Sequence, residues 1–151
     1  MRAQIKRGCI TLLLIIGAPT FVASSDATGY AKIMDRFFDL PQQGKTPEAI
    51  DFIYGTNPYS EKVSDQVSQI KTQLVSQGAI FGKYRGHEVV IERMIAQRYV
   101  YMVVSVAYDR QPLKMEFHFY RPGDKWVLQA YSYGTDLDDD IARFAKYDLV
   151  K

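Results

Sequence analysis

The chain has 151 residues, 19 Lys+Arg against 17 Asp+Glu, one cysteine and two histidines. Its slight basic excess lies at the N-terminus. Arg2, Lys6 and Arg7 precede the first acid, Asp26, so the remainder carries 16 bases and 17 acids. That balance excludes nucleic-acid binding driven by phosphate neutralisation. Cys9 is the only cysteine, so everything after it lacks a disulfide, a thiol nucleophile and a cysteine metal site.

The N-terminal segment reads as a secretory signal. A basic start is followed by the apolar stretch Ile10–Ile16, then Gly17 and Pro19, then the small residues Ala23, Ser24 and Ser25. Cleavage after Ser25 places Ala23 at −3, the small-x-small pattern of signal processing; cleavage after Ser24 is the neighbouring option. The apolar core is shorter than the roughly 20 residues of a spanning helix, and Cys9 precedes it, which is the wrong place for lipidation. The expectation is a signal peptide over 1–25, a single domain over 26–151, and a periplasmic or secreted location without stable membrane insertion after cleavage. About 125 residues suffice to bury a core without disulfides.

Helical periodicity dominates the first half of that domain. Ile33, Phe37 and Leu40, with Tyr30 and Met34, predict a helix over 28–40 ended by Pro41. A second helix starts at Thr46 as N-cap, takes Pro47 in its first position, buries Ile50, Ile53 and Tyr54, and stops at Gly55. A third runs over 60–76, with Val63, Val67, Ile70 and Leu74 as one buried stripe and Gly78 as its stop.

Strand patterns follow over 87–96, 99–108, 113–121 and 126–133. Leu113, Met115, Phe117 and Phe119 alternate with Lys114, Glu116, His118 and Tyr120, so the first set marks the core face. A two-residue turn at Arg110-Gln111 sets Tyr108, Val106, Val104 and Met102 against it. A turn around Gly123 sets Trp126, Leu128 and Ala130 on the same face. The opposite face then carries the rows Ala107–Lys114–Tyr133, Ser105–Glu116–Tyr131, Val103–His118–Gln129 and Tyr101–Tyr120–Val127. The predicted class is α+β: three helices packed on a curved, mainly antiparallel sheet of four to five strands.

Phe37-Phe38, Gly44-Lys45 leading into Pro47-Glu48-Ala49-Ile50, and Gly123-Asp124-Lys125-Trp126-Val127-Leu128 carry a resemblance to the nuclear-transport-factor-two-like superfamily. In particular the chain resembles its small exported bacterial members of unassigned function, in which a segment like Tyr108-Asp109-Arg110-Gln111-Pro112-Leu113 leads into Phe119-Tyr120-Arg121-Pro122. The resemblance implies a cone-shaped fold, shared by enzymes, binding modules and dimerising proteins, and dimerisation through the outer sheet face. It also implies a cone lined here by Phe37, Tyr54, Met102, Phe117, Phe119 and Trp126, with room for a small apolar ligand. The isomerase-like members aim a carboxylate base into the cone. The strand residues expected to face it here include no acid, so that activity falls to helical carboxylates such as Asp35, Asp39 or Asp51.

Other polar constellations are weak. Glu116 and His118 share one strand face, the spacing of an acid–base pair or half a metal site, but the polar outer face or a subunit interface explains them better. Asp136, Asp138 and Asp140 alternate like the start of a calcium loop, yet Ile141 stands where glycine is required and Tyr147 where glutamate is. Asp138 or Asp139 as cap of a short helix with Ile141, Phe144 and Ala145 is the simpler reading. Tyr84–His87 marks a lip at the cone mouth or a plain helix-to-strand turn. No cofactor or metal is expected.

The tyrosine-rich face supplies large amphipathic area of the kind enriched at interfaces, through Tyr101, Glu116, His118, Tyr120, Gln129 and Tyr131, with Tyr99 and Tyr133 nearby. The expectation is an exported, non-catalytic module that homodimerises through this face and holds an apolar ligand. An isomerase or hydratase, and a purely structural envelope protein, are the alternatives.

Overall fold

The computed structural model describes residues 27–137 together with 139, 140, 142 and 143. The signal segment and the terminal residues Asp138, Ile141, Phe144, Ala145 and Tyr147 lie outside the described residues. The class is α+β: α1 (Ala27–Gln42), α2 (Thr46–Gly55), a 3-10 turn (Ser60–Val63), α3 (Ser64–Phe81), then strands β1 (Tyr84–Ile95), β2 (Tyr99–Tyr108), β3 (Pro112–Tyr120) and β4 (Val127–Gly134). The strands form one antiparallel sheet in the order β1-β2-β3-β4.

Helix ends depart from the sequence reading in instructive ways. Pro41 sits inside the last turn of α1. The chain turns three residues later at Gly44 (φ 77°), whose N–H donates to Pro41 O at 2.9 Å, while Lys45 N–H donates to Leu40 O at 2.8 Å. Thr46 is the first residue of α2 and not its cap; Lys45 holds the N-cap position without a side-chain bond. α3 runs through Gly78 and ends only at Gly82 (φ 86°). Its expected stripe is half-buried at Val63, Val67 and Ile70, and only Leu74 and Phe81 of α3 are buried.

The core lies between the helices and the inner sheet face. Tyr30, Met34, Phe37 and Phe38 of α1 and Ile50 and Ile53 of α2 pack on Val100, Met102, Val104 and Val106 of β2 and on Leu113, Met115, Phe117 and Phe119 of β3. The β2–β3 pairing sets Val106 opposite Leu113, Val104 opposite Met115 and Met102 opposite Phe117. This register lies two residues from the one expected, because the β2–β3 pairing ends at Ala107–Pro112 and leaves Tyr108 and Asp109 unpaired with β3. A two-residue offset keeps every side chain on its expected face, since strand faces alternate with period two.

β4 breaks the expectation. Phe119 pairs with Leu128, but His118 pairs with Ala130, so the strand bulges at Gln129. The bulge flips the alternation beyond it. Tyr131 comes to lie opposite Phe117 and Tyr133 opposite Met115, on the core face, and Ala130 and Ser132 point outward. The outer rows are therefore Tyr99–Tyr120–Val127, Tyr101–His118–Ala130, Val103–Glu116–Ser132 and Ser105–Lys114–Gly134.

Candidate functional site

The residues expected to line a hollow cone instead fill it. Phe37 (1% exposed), Phe117 (0%), Phe119 (0%) and Met102 (2%) are buried, and Trp126 retains only 6% exposure. Phe37 meets Phe117 edge-on with ring centroids 5.2 Å apart, and Phe117 lies over Phe119 at 6.3 Å. Trp126 closes one end against Tyr30 at 5.2 Å. Half-buried Tyr54 borders the other end, 6.5 Å from Tyr131. Such aromatic pairs add about 0.5–1.5 kcal/mol each beyond area burial, so emptying this space would be costly. Phe37, Met102, Phe117 and Phe119 line none of five surface clefts among the described residues.

A spacious cleft of about 840 Å³ lies outside the packed core, between the α2 exit and the β3–β4 turn. Tyr59, Tyr120, Trp126, Val127 and Gln129 are among its lining residues. Tyr59 is 73% exposed and Tyr120 39%. The cleft wall is pinned by side chains from the α2 exit. Asn57 donates to Leu128 O at 2.8 Å, Leu128 N–H donates to Thr56 Oγ1 at 3.0 Å, and Thr56 Oγ1 in turn donates to Ile53 O at 2.7 Å. These bonds also satisfy the backbone of an edge strand, which otherwise invites pairing.

The outer sheet face adjoins this cleft through Tyr120 and Val127. Tyr101 and His118 are paired neighbours with rings 4.9 Å apart, and Tyr99 OH lies 2.6 Å from His118 Nδ1. Tyr101 is pushed above the ordinary tyrosine value by burial and by the nearby Glu116 carboxylate. Gln129 is exposed at the bulge. Tyr131 does not belong to this surface: it packs against Phe117 at 5.2 Å, and its hydroxyl is buried with no partner among the described residues. Burial and the neighbouring Tyr108, Tyr133 and Tyr54 drive its pKa well up. Tyr133 also leaves the face, donating to Gln73 of α3 at 3.2 Å.

The far half of the outer face is partly covered. Val103 and Leu137 are buried there, and both border a cleft shared with Tyr101, Asp136 and Asp140. Lys114 Nζ bonds Asp140 at 2.7 Å, Asp136 at 2.9 Å and Glu116 at 3.2 Å. These bonds raise the Lys114 pKa. Two of the aspartates that resemble a calcium loop in sequence, Asp136 and Asp140, thus converge on a lysine. Glu116 belongs to this ion cluster, so Glu116 and His118 do not form the acid–base pair that their spacing suggested.

Two polar pairs escaped the sequence reading. Tyr30 OH donates to Glu92 at 2.5 Å, which together with burial lifts Tyr30 to about 12. Glu92 faces inward because β1 bulges at Val90, putting Glu92 opposite Met102. His87 stacks on Phe38 at 3.7 Å and meets Tyr84 OH at 2.7 Å. Burial lowers the His87 pKa against a smaller opposing pull from Asp35. Tyr84 also lines a cleft of about 360 Å³ that it shares with Pro41, Leu74, Phe81 and Tyr108. Only the pairing of β1 with β2, not the composition of β1, places Glu92.

No family profile, curated protein or solved structure matches this chain.

Proposed function

We propose that the chain is an exported, non-catalytic interaction module that recognises its partner through the aromatic surface formed by Tyr59, Tyr120 and Val127, floored by the edge of buried Trp126, and continued by Tyr99, Tyr101 and His118. One observation carries this reading: the concave face is packed with its own aromatic side chains while the open cleft lies outside it. The inward acid, Glu92, and the inner-face imidazole, His87, each already hold a tyrosine, which supports binding over proton transfer. The order of elements agrees with membership in the nuclear-transport-factor-two-like superfamily, with a filled cone in place of a pocket. Export rests on the Arg2–Ser25 pattern. An apolar fluorescent dye probes the cleft. The dye is expected to bind the exported protein and quench Trp126, the only tryptophan, and the Tyr59→Ala/Tyr120→Ala pair is expected to abolish both. Dye binding that survives this pair but falls with Phe37→Ala would place recognition in the cone and refute the proposal.

A further inference from the structure

β1 is the longest strand and one of two sheet edges, and it is treated differently from the other. On β4, Thr56 and Asn57 occupy the Leu128 N–H and C=O. On β1 no described strand lies beyond the pairing with β2. The strand contains neither proline nor lysine; what guards its edge is its charges and its two bulges. It also exposes Val89 (49%), Val90 (53%), Met94 (39%) and Ile95 (59%).

The charges along β1 choose a partner. Glu88 pairs with Ser105 and Arg93 with Tyr101, so both point to the outer face. Five positions separate them, and in a regular strand they would point to opposite faces. The bulge at Val90 brings them to the same face. Two copies of β1 laid antiparallel about a two-fold axis perpendicular to the sheet then match Glu88 with Arg93 twice. Val90 meets Ile91 twice at the centre, His87 meets Met94 and Val89 meets Glu92 on the inner face, and every pair agrees in face. The neighbouring register with Glu88 opposite Glu92 would set like charges against each other and mismatch their faces.

We propose that two copies of this chain pair along β1 in this register, forming one continuous eight-stranded sheet with all helices on one side. The partner is a second copy because the charge pattern is complementary to itself. Growth into a filament would need the β4 edge, where side chains of Thr56 and Asn57 already hold the Leu128 N–H and C=O. The outer aromatic surfaces of the two copies remain free.

A charge-swap series read by analytical ultracentrifugation at tens of micromolar decides the matter. The exported protein is expected to sediment as a dimer. Glu88→Arg and Arg93→Glu are each expected to weaken association by about tenfold or more, since like charges then face each other twice. An equimolar mixture of the two variants is expected to restore a heterodimer, and the double variant a homodimer; restoration also proves that both single variants fold. A monomeric parent protein overturns the inference, as do single variants that remain dimeric or a mixture that stays monomeric. Loss of the dimer with Tyr101→Lys, but not with Glu88→Arg, would move the interface to the tyrosine face and overturn it as well.

Discussion

Replacing Gly82 and Gly78 separately by alanine tests where α3 ends and what holds its end. At Gly82 the backbone has φ 86° and ψ −155°, a region that glycine alone occupies freely, costing about 1–3 kcal/mol for other residues. A Cβ there would lie 2.7 Å from Asp109 Cβ and 3.2 Å from Asp109 Oδ2. Asp109 has little room to yield. It accepts Lys83 N–H at 3.0 Å and Arg85 Nε, and its own N–H bonds Lys83 O at 3.0 Å. Next to it, Arg110 N–H bonds Phe81 O at 3.0 Å, and the Arg110 guanidinium reaches Ala79 O at 3.0 Å, where a cation also favours the helix C-terminus. Gly82→Ala is therefore expected to destabilise by about 3 kcal/mol, backbone strain and steric displacement together. Gly78 is different. Its Cβ would meet nothing within 4 Å, and it lies in the helix interior, so Gly78→Ala is expected to stabilise by roughly 0.5–1 kcal/mol. Thermal unfolding followed by circular dichroism should separate the two variants by on the order of 15 °C. A loss of stability in Gly78→Ala with Gly82→Ala unchanged would refute the reasoning and put the helix stop at Gly78.

Tyr131→Phe removes a buried hydroxyl that has no partner among the described residues, and is expected to raise stability by about 1 kcal/mol in urea unfolding; a loss would mean that the hydroxyl is bonded in solution. Ala96 and Gln97 turn the β1–β2 hairpin at φ 48° and 56°, closed by Arg98 N–H to Ile95 O at 3.2 Å. Such a turn favours Asn-Gly, so the Ala96→Asn/Gln97→Gly variant should gain about 1–2 kcal/mol; no gain would deny the left-handed turn. His87 titrates below its unfolded value because burial disfavours its charged form. The unfolded chain then binds the extra proton, so its contribution is present above about pH 6.5 and is lost as pH falls through the folded value. Unfolding midpoints measured from pH 8 to 5 should show this loss in the parent protein and a weaker one in His87→Gln; identical profiles would dismiss it.

Alternation and helical spacing are local properties, and they were legible. The β2 boundaries, the core face of β3 and the α+β class follow from side-chain periods alone. What the sequence concealed depends on single-residue phase changes. The bulge at Gln129 carries Tyr131 and Tyr133 from the outer face to the inner one, and the bulge at Val90 turns Glu92 inward and Arg93 outward. No glycine marks either bulge, so composition gives no warning. The Ala96-Gln97 turn hides for the same reason, lacking the Asn or Gly such a turn prefers. Gly78 misled in the opposite sense, because a glycine that a helix tolerates looks like one that ends it. The candidate site suffered most. A cone predicted to be lined by aromatics was read as a place for a ligand, but lining and filling differ only in side-chain packing. Phe37 and Phe117 at 5.2 Å take the space. The cleft beside Tyr59 draws on the α2 exit and the β3–β4 turn, segments 60 or more residues apart that no local pattern connects.

Whether the concave face is core or pocket is measured most directly by methyl NMR of the exported protein under increasing xenon or benzene, small apolar probes that enter dry cavities. In the parent protein the methyls of Met102, Val104, Leu113 and Met115 are expected to show no saturable shift, whereas Phe117→Ala should open a cavity and show one. A saturable shift of those methyls in the parent protein would mean that the cone is open, and would contradict the placement of recognition on the outer surface.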